Sequence, residues 1–327
     1  MRRSFRISGA GAYLPENRVP SAALEEQLSL PSGWIEKYAG VVSRPVAKHE
    51  TNRFMAVRAI EQALQQAELS QSDIGGLISA SATYDSPLPN NASRIKAALA
   101  GSESYDYPCV DIDVTCLSFL PALDYAVSLL SEDCRHVVVV SAEIASRGLN
   151  SEDIETYTLF GDAAAAVIVS YDTSFECGAM KYSLKTYAEG AGFTTIKGGG
   201  NDFPFSEVAY DPALHTFQMQ GKQLLKAASK RIPEFLDDFF TAIDPSEVDW
   251  VIPHQASKAG LALFHKLGLF PEGKIINTLS QMGNCIAASI PYALASSIQE
   301  GKVKRGDTCL LIGTSAGFSI GAMLLRY

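Results

Sequence analysis

The sequence predicts an α/β protein whose sheets are covered on both faces and whose chain is assembled from two similar halves. Three observations predict it. Apolar runs of strand length alternate with stretches of helical periodicity along the chain. The strand runs are continuously apolar, as expected of strands buried on both faces. One helix–turn–strand block also recurs: TCLSFLPALDYAVSLL followed by SEDCRHVVVVSAEIAS has the grammar of NCIAASIPYALASSI followed by QEGKVKRGDTCLLIGTSAG. Each reads as a cysteine, an apolar helix with an early proline, a polar turn, a buried strand and a small-residue turn. Pro121 and Pro291 fall near the helix starts, where a missing N–H does least harm.

In chain order, MRRSFRISGAGAYLP opens on basic residues, but Ser8, Gly9, Gly11 and Pro15 break its apolar run. It reads as a first strand and turn, not a signal peptide. A helix is predicted over Asn52–Leu69, with Thr51 as its N-cap. Strands follow over Gly76–Ala82 and Cys109–Thr115, then a helix over Leu117–Leu130 and strands over His136–Ala142 and Ala163–Ser170. A boundary is expected within Tyr171–Cys177, giving halves of residues 1–171 and 172–327. The stretch Tyr187–Tyr210, with Gly198, Gly199 and Gly200 together, reads as a mobile surface loop. No Lys-Ser or Lys-Thr pair opens a helix after it, so it is not a phosphate cradle. The last strands are Trp250–Pro253 and Thr308–Gly313.

Composition narrows the function. The 327 residues are 47% hydrophobic, enough for a sizeable core, and carry a formal net charge of −9, which argues against nucleic acid as a main partner. The six cysteines form no CxxC pair and the five histidines are dispersed, so neither a metal site nor a disulfide framework is expected. No run reaches the roughly 20 apolar residues of a membrane span. The expected location is cytoplasmic.

Three residues at element ends could carry chemistry. Cys116 sits between a strand and an apolar helix, where a helix N-terminus favours thiolate. Cys285 occupies a similar corner, and either could be a small buried hydrophobe. His254, in VIPHQAS, follows an apolar strand and is either an active-site group or a hydrogen-bonded loop residue. Asn284, in MGNCIAASIP, is either catalytic or a helix N-cap. A cysteine with a distant histidine and asparagine is a known nucleophile constellation. Lys222, Lys226 and Lys230 lie four apart, and Lys258 and Lys266 follow His254. They form either a solvated helix face or a dock for an acidic partner.

The whole chain resembles the β-ketoacyl-acyl-carrier-protein synthase III family of the thiolase superfamily. The resemblance is carried by WIEKYAGVVSR, DIDVTCLSF, LFGDAAAAVI, VIPHQAS, MGNCIAASIP and GTSAGFSIGAMLLRY, in that order. It implies a thiolase-like five-layered αβαβα fold from two duplicated halves, in a homodimer. It implies a Cys116, His254 and Asn284 triad, and an oxyanion hole from the N–H groups of Cys116 and Ala316. Acyl transfer to Cys116 would be followed by decarboxylative condensation with malonyl on an acyl carrier protein, without metal or organic cofactor. The implied partners are acyl carrier protein, docking on Lys222, Lys226, Lys258 and Lys266, and a coenzyme A thioester. The implied substrate contacts are Trp34, Leu117, Phe160, Ile286 and Phe318, with Trp34 stacking on adenine. The family's coenzyme A-binding arginines are missing at Tyr38 and near Ile154 and Glu155, so the donor is expected to bind weakly as a coenzyme A ester or to arrive on a carrier. Leu117, Ser118, Cys285, Ile286, Ser315 and Ala316 also depart from the family pattern, which suggests a donor other than acetyl. Three readings compete: transfer of the acyl group to an oxygen or nitrogen nucleophile, a thiol hydrolase, and a non-catalytic partner subunit.

Overall fold

A computed structural model describes residues 4–174 and 176–327. The three residues that open the predicted first strand, and residue 175 within the predicted boundary, lie outside the described residues. The main elements are β1 (Arg6–Tyr13), α1 (Asn52–Ala67), β2 (Gly76–Ser79), α2 (Asn91–Ala98), β3 (Cys109–Asp111), α3 (Phe119–Leu129), β4 (His136–Glu143), β5 (Ala163–Ser170), β6 (Gly178–Thr186), α4 (Gly221–Phe239), β7 (Trp250–Pro253), α5 (Lys258–Leu267), α6 (Ser289–Gln299), β8 (Thr308–Ser315) and β9 (Ser319–Arg326).

The first sheet has the order β1-β5-β4-β2-β3, and the second has β6-β9-β8-β7. Within each, the first two pairings are antiparallel and the next is parallel. β2–β3 adds a parallel pair to the first sheet. At the same place in the second, Val251 makes a single parallel bridge to Ile275. The two sheets therefore run through one strand order twice.

Strand alternation then builds the layers. Val137 and Val139 of β4 face inward and pack with α3, α6, Leu311 and Met323 in one shared core. Val138 and Val140 face outward, against Met55 and Ile60 of α1 and Ile95 of α2. On the far side, Val251, Leu310 and Ile312 pack against Ile232 and Phe235 of α4 and Phe264 of α5. Helices, sheet, paired helices, sheet and helices make five layers, the predicted αβαβα arrangement.

The predicted helix over Asn52–Leu69 forms as Asn52–Ala67, and Thr51 caps it by accepting a hydrogen bond from the Phe54 N–H at 3.2 Å. Two of the long strands were not legible. β6 is half-buried and mixes lysines with apolar residues, and β9 follows a small-residue turn that gave no separate strand pattern. The predicted strands Gly76–Ala82 and Cys109–Thr115 stop at Ser79 and Asp111, because their last residues turn to line the site.

The repeat also has a different register from the cysteine-to-cysteine alignment. Thr115 and Ile286 both take left-handed backbone angles, with φ of 46° and 45°. Ser118 Oγ accepts from Val114 N–H at 2.9 Å, and Ser289 Oγ accepts from Cys285 N–H at 3.0 Å. The serines and the left-handed residues superpose the two corners, so Cys116 corresponds to Ala287 and not to Cys285. Cys285 instead packs with Ala163, Met282 and Ala288 in a small buried cluster.

Candidate active site

Cys116 sits in a tight 3-10 turn, Thr115–Leu117, that links β3 to α3. The left-handed Thr115 is the hinge of that turn, and Thr115 N–H donates to Asp113 at 2.7 Å. The residue is half-buried, while its sulfur lies in a recess with the N–H groups of Cys116 and Ala316 directed at it.

His254 ends β7. Its N–H donates to the Ile312 carbonyl at 2.8 Å, continuing the β7–β8 ladder. His254 Cβ packs against Gly313, where an added Cβ would fall 2.5 Å from it, so only glycine fits there. Gln255 locks the loop that follows. Its Oε1 accepts from Thr278 and Leu279 N–H, and its Nε2 donates to the Pro253 and Ile276 carbonyls.

Asn284 comes from the second half but pairs with the first. Its N–H donates to the Leu159 carbonyl at 2.9 Å, and its carbonyl accepts from Gly161 N–H at 3.1 Å. Gly283 makes this approach possible: its φ is +67°, and a Cβ there would sit 2.4 Å from the Leu159 carbonyl oxygen. The Asn284 side chain is oriented at both ends. Oδ1 accepts from Ile286 N–H at 2.8 Å and Nδ2 donates to the Ala256 carbonyl at 3.2 Å. A carboxamide nitrogen carries two hydrogens, so one is left over.

Cys116, His254 and Asn284 all line one cleft of about 800 Å³, together with Ser315 and Ala316 at the end of β8. Of the predicted substrate contacts, Trp34, Phe160 and Ile286 line it. Leu117 and Phe318 do not. Leu117 is fully buried in the shared core because its turn points it between the layers. Phe318 is buried against Tyr187 and Phe193, on the outer side of the second sheet. At the mouth, Tyr38 packs against Trp34, with ring centroids 4.8 Å apart and planes tilted by 42°. Glu155 lines the same region, close to Gly221. The glycine-rich stretch read as a loop supplies Thr194, Thr195 and Ile196 to the wall, braced by a two-residue ladder with Gln218–Met219.

Lys222, Lys226 and Lys230 are exposed on α4, and Lys258 and Lys266 are exposed on α5. Lys258 Nζ also donates to the Lys37 carbonyl at 3.0 Å, bracing the short helix Trp34–Tyr38 against α5.

The electrostatics differ from the expected helix-dipole picture. Burial pushes the Cys116 thiol up to about 12, and the nearby Glu143 carboxyl adds to the shift. The N–H groups of Ala316 and Cys116 pull the other way but do not win. α3 begins only at Phe119, beyond the cysteine. Burial likewise holds His254 down to about 4, and its Nδ1 is buried without a hydrogen-bond partner. Glu143 carried no signal in the sequence beyond its place at the end of an apolar run. Burial pushes its carboxyl up to about 8, against donors from Ala82 N–H, Thr83 N–H and Thr83 Oγ.

In the unliganded protein Cys116 is therefore a thiol at neutral pH. Iodoacetamide should alkylate it about tenfold faster for each unit of pH between 7 and 9, because only the thiolate reacts and its fraction rises tenfold per unit below the pKa. Intact mass measured against time would follow this, and a rate already level at pH 7 would contradict it.

The family model described as 3-oxoacyl-[acyl-carrier-protein] synthase III matches residues 110–188, and its C-terminal counterpart matches residues 240–327. The chain is similar to a β-ketoacyl-[acyl-carrier-protein] synthase III from Aquifex aeolicus, at 35% identity over 98% of this chain and 99% of that one. Among solved structures it is similar to the 3-oxoacyl-[acyl-carrier-protein] synthase III of Aquifex aeolicus, with a TM-score of 0.88 and 32% identity over 99% of this chain and 100% of that one. It is also similar to the priming β-ketosynthase of a polyketide biosynthetic pathway, with a TM-score of 0.87 and 26% identity over 99% and 97% of the two chains. With a cysteine, a histidine and an asparagine in one cleft and end-to-end likeness to these proteins, the chain belongs to the β-ketoacyl-[acyl-carrier-protein] synthase III family.

Proposed function

We propose that the protein condenses an acyl group with a malonyl thioester in two steps, using Cys116, His254 and Asn284. The observation that carries this reading is the single cleft shared by all three side chains. In the first step the Cys116 sulfur attacks the donor's thioester carbonyl. A new carbon–sulfur bond forms, the donor's own breaks, and the donor leaves as a thiol with the proton that Cys116 gives up. In the second, malonyl thioester loses carbon dioxide, and the electron pair of the broken bond moves toward the thioester oxygen.

The free Nδ2 hydrogen of Asn284 and a neutral His254 donating through Nε2 meet that developing charge. Burial supports the neutral imidazole. The carbanion then attacks the acyl-Cys116 carbonyl, and the tetrahedral oxygen is held by the N–H groups of Cys116 and Ala316. Collapse breaks the carbon–sulfur bond to Cys116, whose sulfur takes up a proton from water, and releases the β-ketoacyl product. These steps use the chain's own side chains and backbone, with no metal or organic cofactor.

The donor side favours a carrier-borne acyl group over a coenzyme A ester. Tyr38 and Glu155 stand at the mouth where the family's arginines were expected, and a carboxylate there repels phosphate. Lys222, Lys226, Lys258 and Lys266 are the proposed dock for acyl carrier protein, with Trp34, Phe160 and Ile286 along the substrate path. We also propose a homodimer in the cytoplasm, with pairing supported by the open edge strand Cys109–Asp111. The duplicated halves are taken as residues 1–171 and 172–327.

The test is an assay of carbon dioxide release and product mass with acyl donors and malonyl on a carrier protein. Condensation is expected, with stoichiometric carbon dioxide. Lys226→Glu should lower use of the carrier-borne substrate more than use of a small thioester. Acyl transfer without carbon dioxide would instead indicate an oxygen or nitrogen acceptor.

A further inference from the structure

We infer that Asp113, held by Tyr84, is a positioning residue for the nucleophile: it fixes the left-handed angle of Thr115 and so aims the Cys116 N–H into the oxyanion hole. The inference rests on the reading that Cys116 is acylated, and it adds a residue to that site. Asp113 lies between β3 and the turn Thr115–Leu117. Its Oδ1 accepts from the Thr115 N–H at 2.7 Å, and its Oδ2 accepts from the Tyr84 hydroxyl at 2.6 Å. A hydroxyl donating to a carboxylate at that length makes a charge-assisted bond, stronger than a neutral one. Thr115 needs such a hold. Its φ of 46° is unusual for a β-branched residue, and such an angle persists only where the surroundings enforce it. The peptide unit after Thr115 is planar and carries the Cys116 N–H, so the angles of Thr115 set where that N–H points. Ser118 grips the carbonyl of the same unit, through its N–H at 3.1 Å and its hydroxyl at 2.7 Å. Asp113 grips the N–H on the other side of Thr115, and the two holds together fix the unit.

The repeat points to the same residue independently. In the register set by Thr115 with Ile286 and Ser118 with Ser289, Asp113 stands where Asn284 stands in the second half. Asn284 Oδ1 accepts from the N–H of left-handed Ile286 at 2.8 Å, as Asp113 does from Thr115. The far ends of the two side chains differ in chemistry. The Asn284 amide donates to the Ala256 carbonyl, whereas a carboxylate can only accept, and the first half supplies a donor in the Tyr84 hydroxyl. Tyr84 follows Ala82 and Thr83, which line the cleft together with Thr115 and Cys116. The Tyr84–Asp113 bond therefore ties one wall of the cleft to the turn that presents the sulfur.

The experiment compares two reactions of Cys116 in the parent, Asp113→Ala, Asp113→Asn and Tyr84→Phe, each followed by intact mass with Cys116→Ala as the blank. In the first, 4-nitrophenyl acetate acylates the sulfur: a carbon–sulfur bond forms, the ester bond breaks, 4-nitrophenolate leaves and the thiol proton passes to water. That reaction goes through a tetrahedral oxyanion and needs the aimed N–H. The second, alkylation by iodoacetamide, needs only thiolate and access. Asp113→Ala should acylate at least about tenfold more slowly than the parent, part of what a lost oxyanion donor removes, and alkylate within about twofold of it. Asp113→Asn offers an amide oxygen like that of Asn284, and should recover acylation to within about threefold of the parent. Tyr84→Phe should slow acylation about threefold and leave alkylation unmoved. Unchanged acylation in Asp113→Ala, equal losses of acylation and alkylation, or no recovery in Asp113→Asn would overturn the inference, and an unmoved Tyr84→Phe would overturn the part given to the tyrosine. Should Asp113→Ala fail to fold, Tyr84→Phe carries the test, because it removes one hydroxyl from an exposed residue. The condensing-enzyme reading fails separately. If the parent releases no carbon dioxide from a malonyl thioester while Asp113→Ala still loses acylation, the clamp stands and condensation does not.

Discussion

Replacing Cys116 with alanine is expected to abolish covalent acylation while leaving the fold in place. The turn Thr115–Leu117 presents the sulfur to the cleft, and among the described residues no other cysteine lines it. Cys285, the alternative that sequence alone left open, is buried among Ala163, Met282 and Ala288, and burial raises its thiol pKa well above the ordinary range. It cannot take over. Alanine leaves the Ser118 N–H bond to the Thr115 carbonyl in place, and the Ser118 hydroxyl still accepts from Val114. Intact-protein mass after incubation with acyl thioesters should show an adduct on the parent and none on the variant, with unchanged circular dichroism. An adduct that persists on the variant would place the nucleophile elsewhere.

The second large effect is expected at the donors. His254→Ala should lower malonyl decarboxylation by about 10²–10³-fold, the loss of about 2.7–4 kcal/mol typical of one preorganised oxyanion donor. Asn284→Ala should do the same, with a further loss of order around Ile286, whose N–H gives up its acceptor. The His254 effect should be flat across the working range, because burial holds the ring to about 4 and it stays neutral from pH 5 to 9. Stability responds differently. The unfolded chain binds the imidazole proton near the ordinary value of 6.5, before the folded chain does. The contribution of the neutral ring is thus present above 6.5 and is lost as pH falls toward 4. Urea unfolding of parent and His254→Ala at pH 7 and pH 5 would read the difference. A decarboxylation limb near pH 6.5 would show that the ring titrates as if exposed.

The layers and the triad were legible because they rest on local patterns. Continuous apolar runs mark strands covered on both faces, and a residue at a strand end has few places to point except the switch region. The register of the repeat was not legible, because it is set by backbone angles at Thr115 and Ile286 that a threonine and an isoleucine do not advertise. Leu117 and Phe318 were misplaced for a related reason: neighbours of a catalytic corner alternate between cleft and core, and only the turn geometry decides which. Glu143 could not be read, since its partners, Ala82 and Thr83, lie about sixty residues away in the chain.

The pairing of Asn284 with the segment 159–161 has a consequence for synthesis. The nucleophile and its whole sheet are translated more than a hundred residues before the asparagine that completes the constellation. Because both sheets share one core, a substitution that destabilises the second half should loosen the first half with it, and turnover should be lost together with the fold.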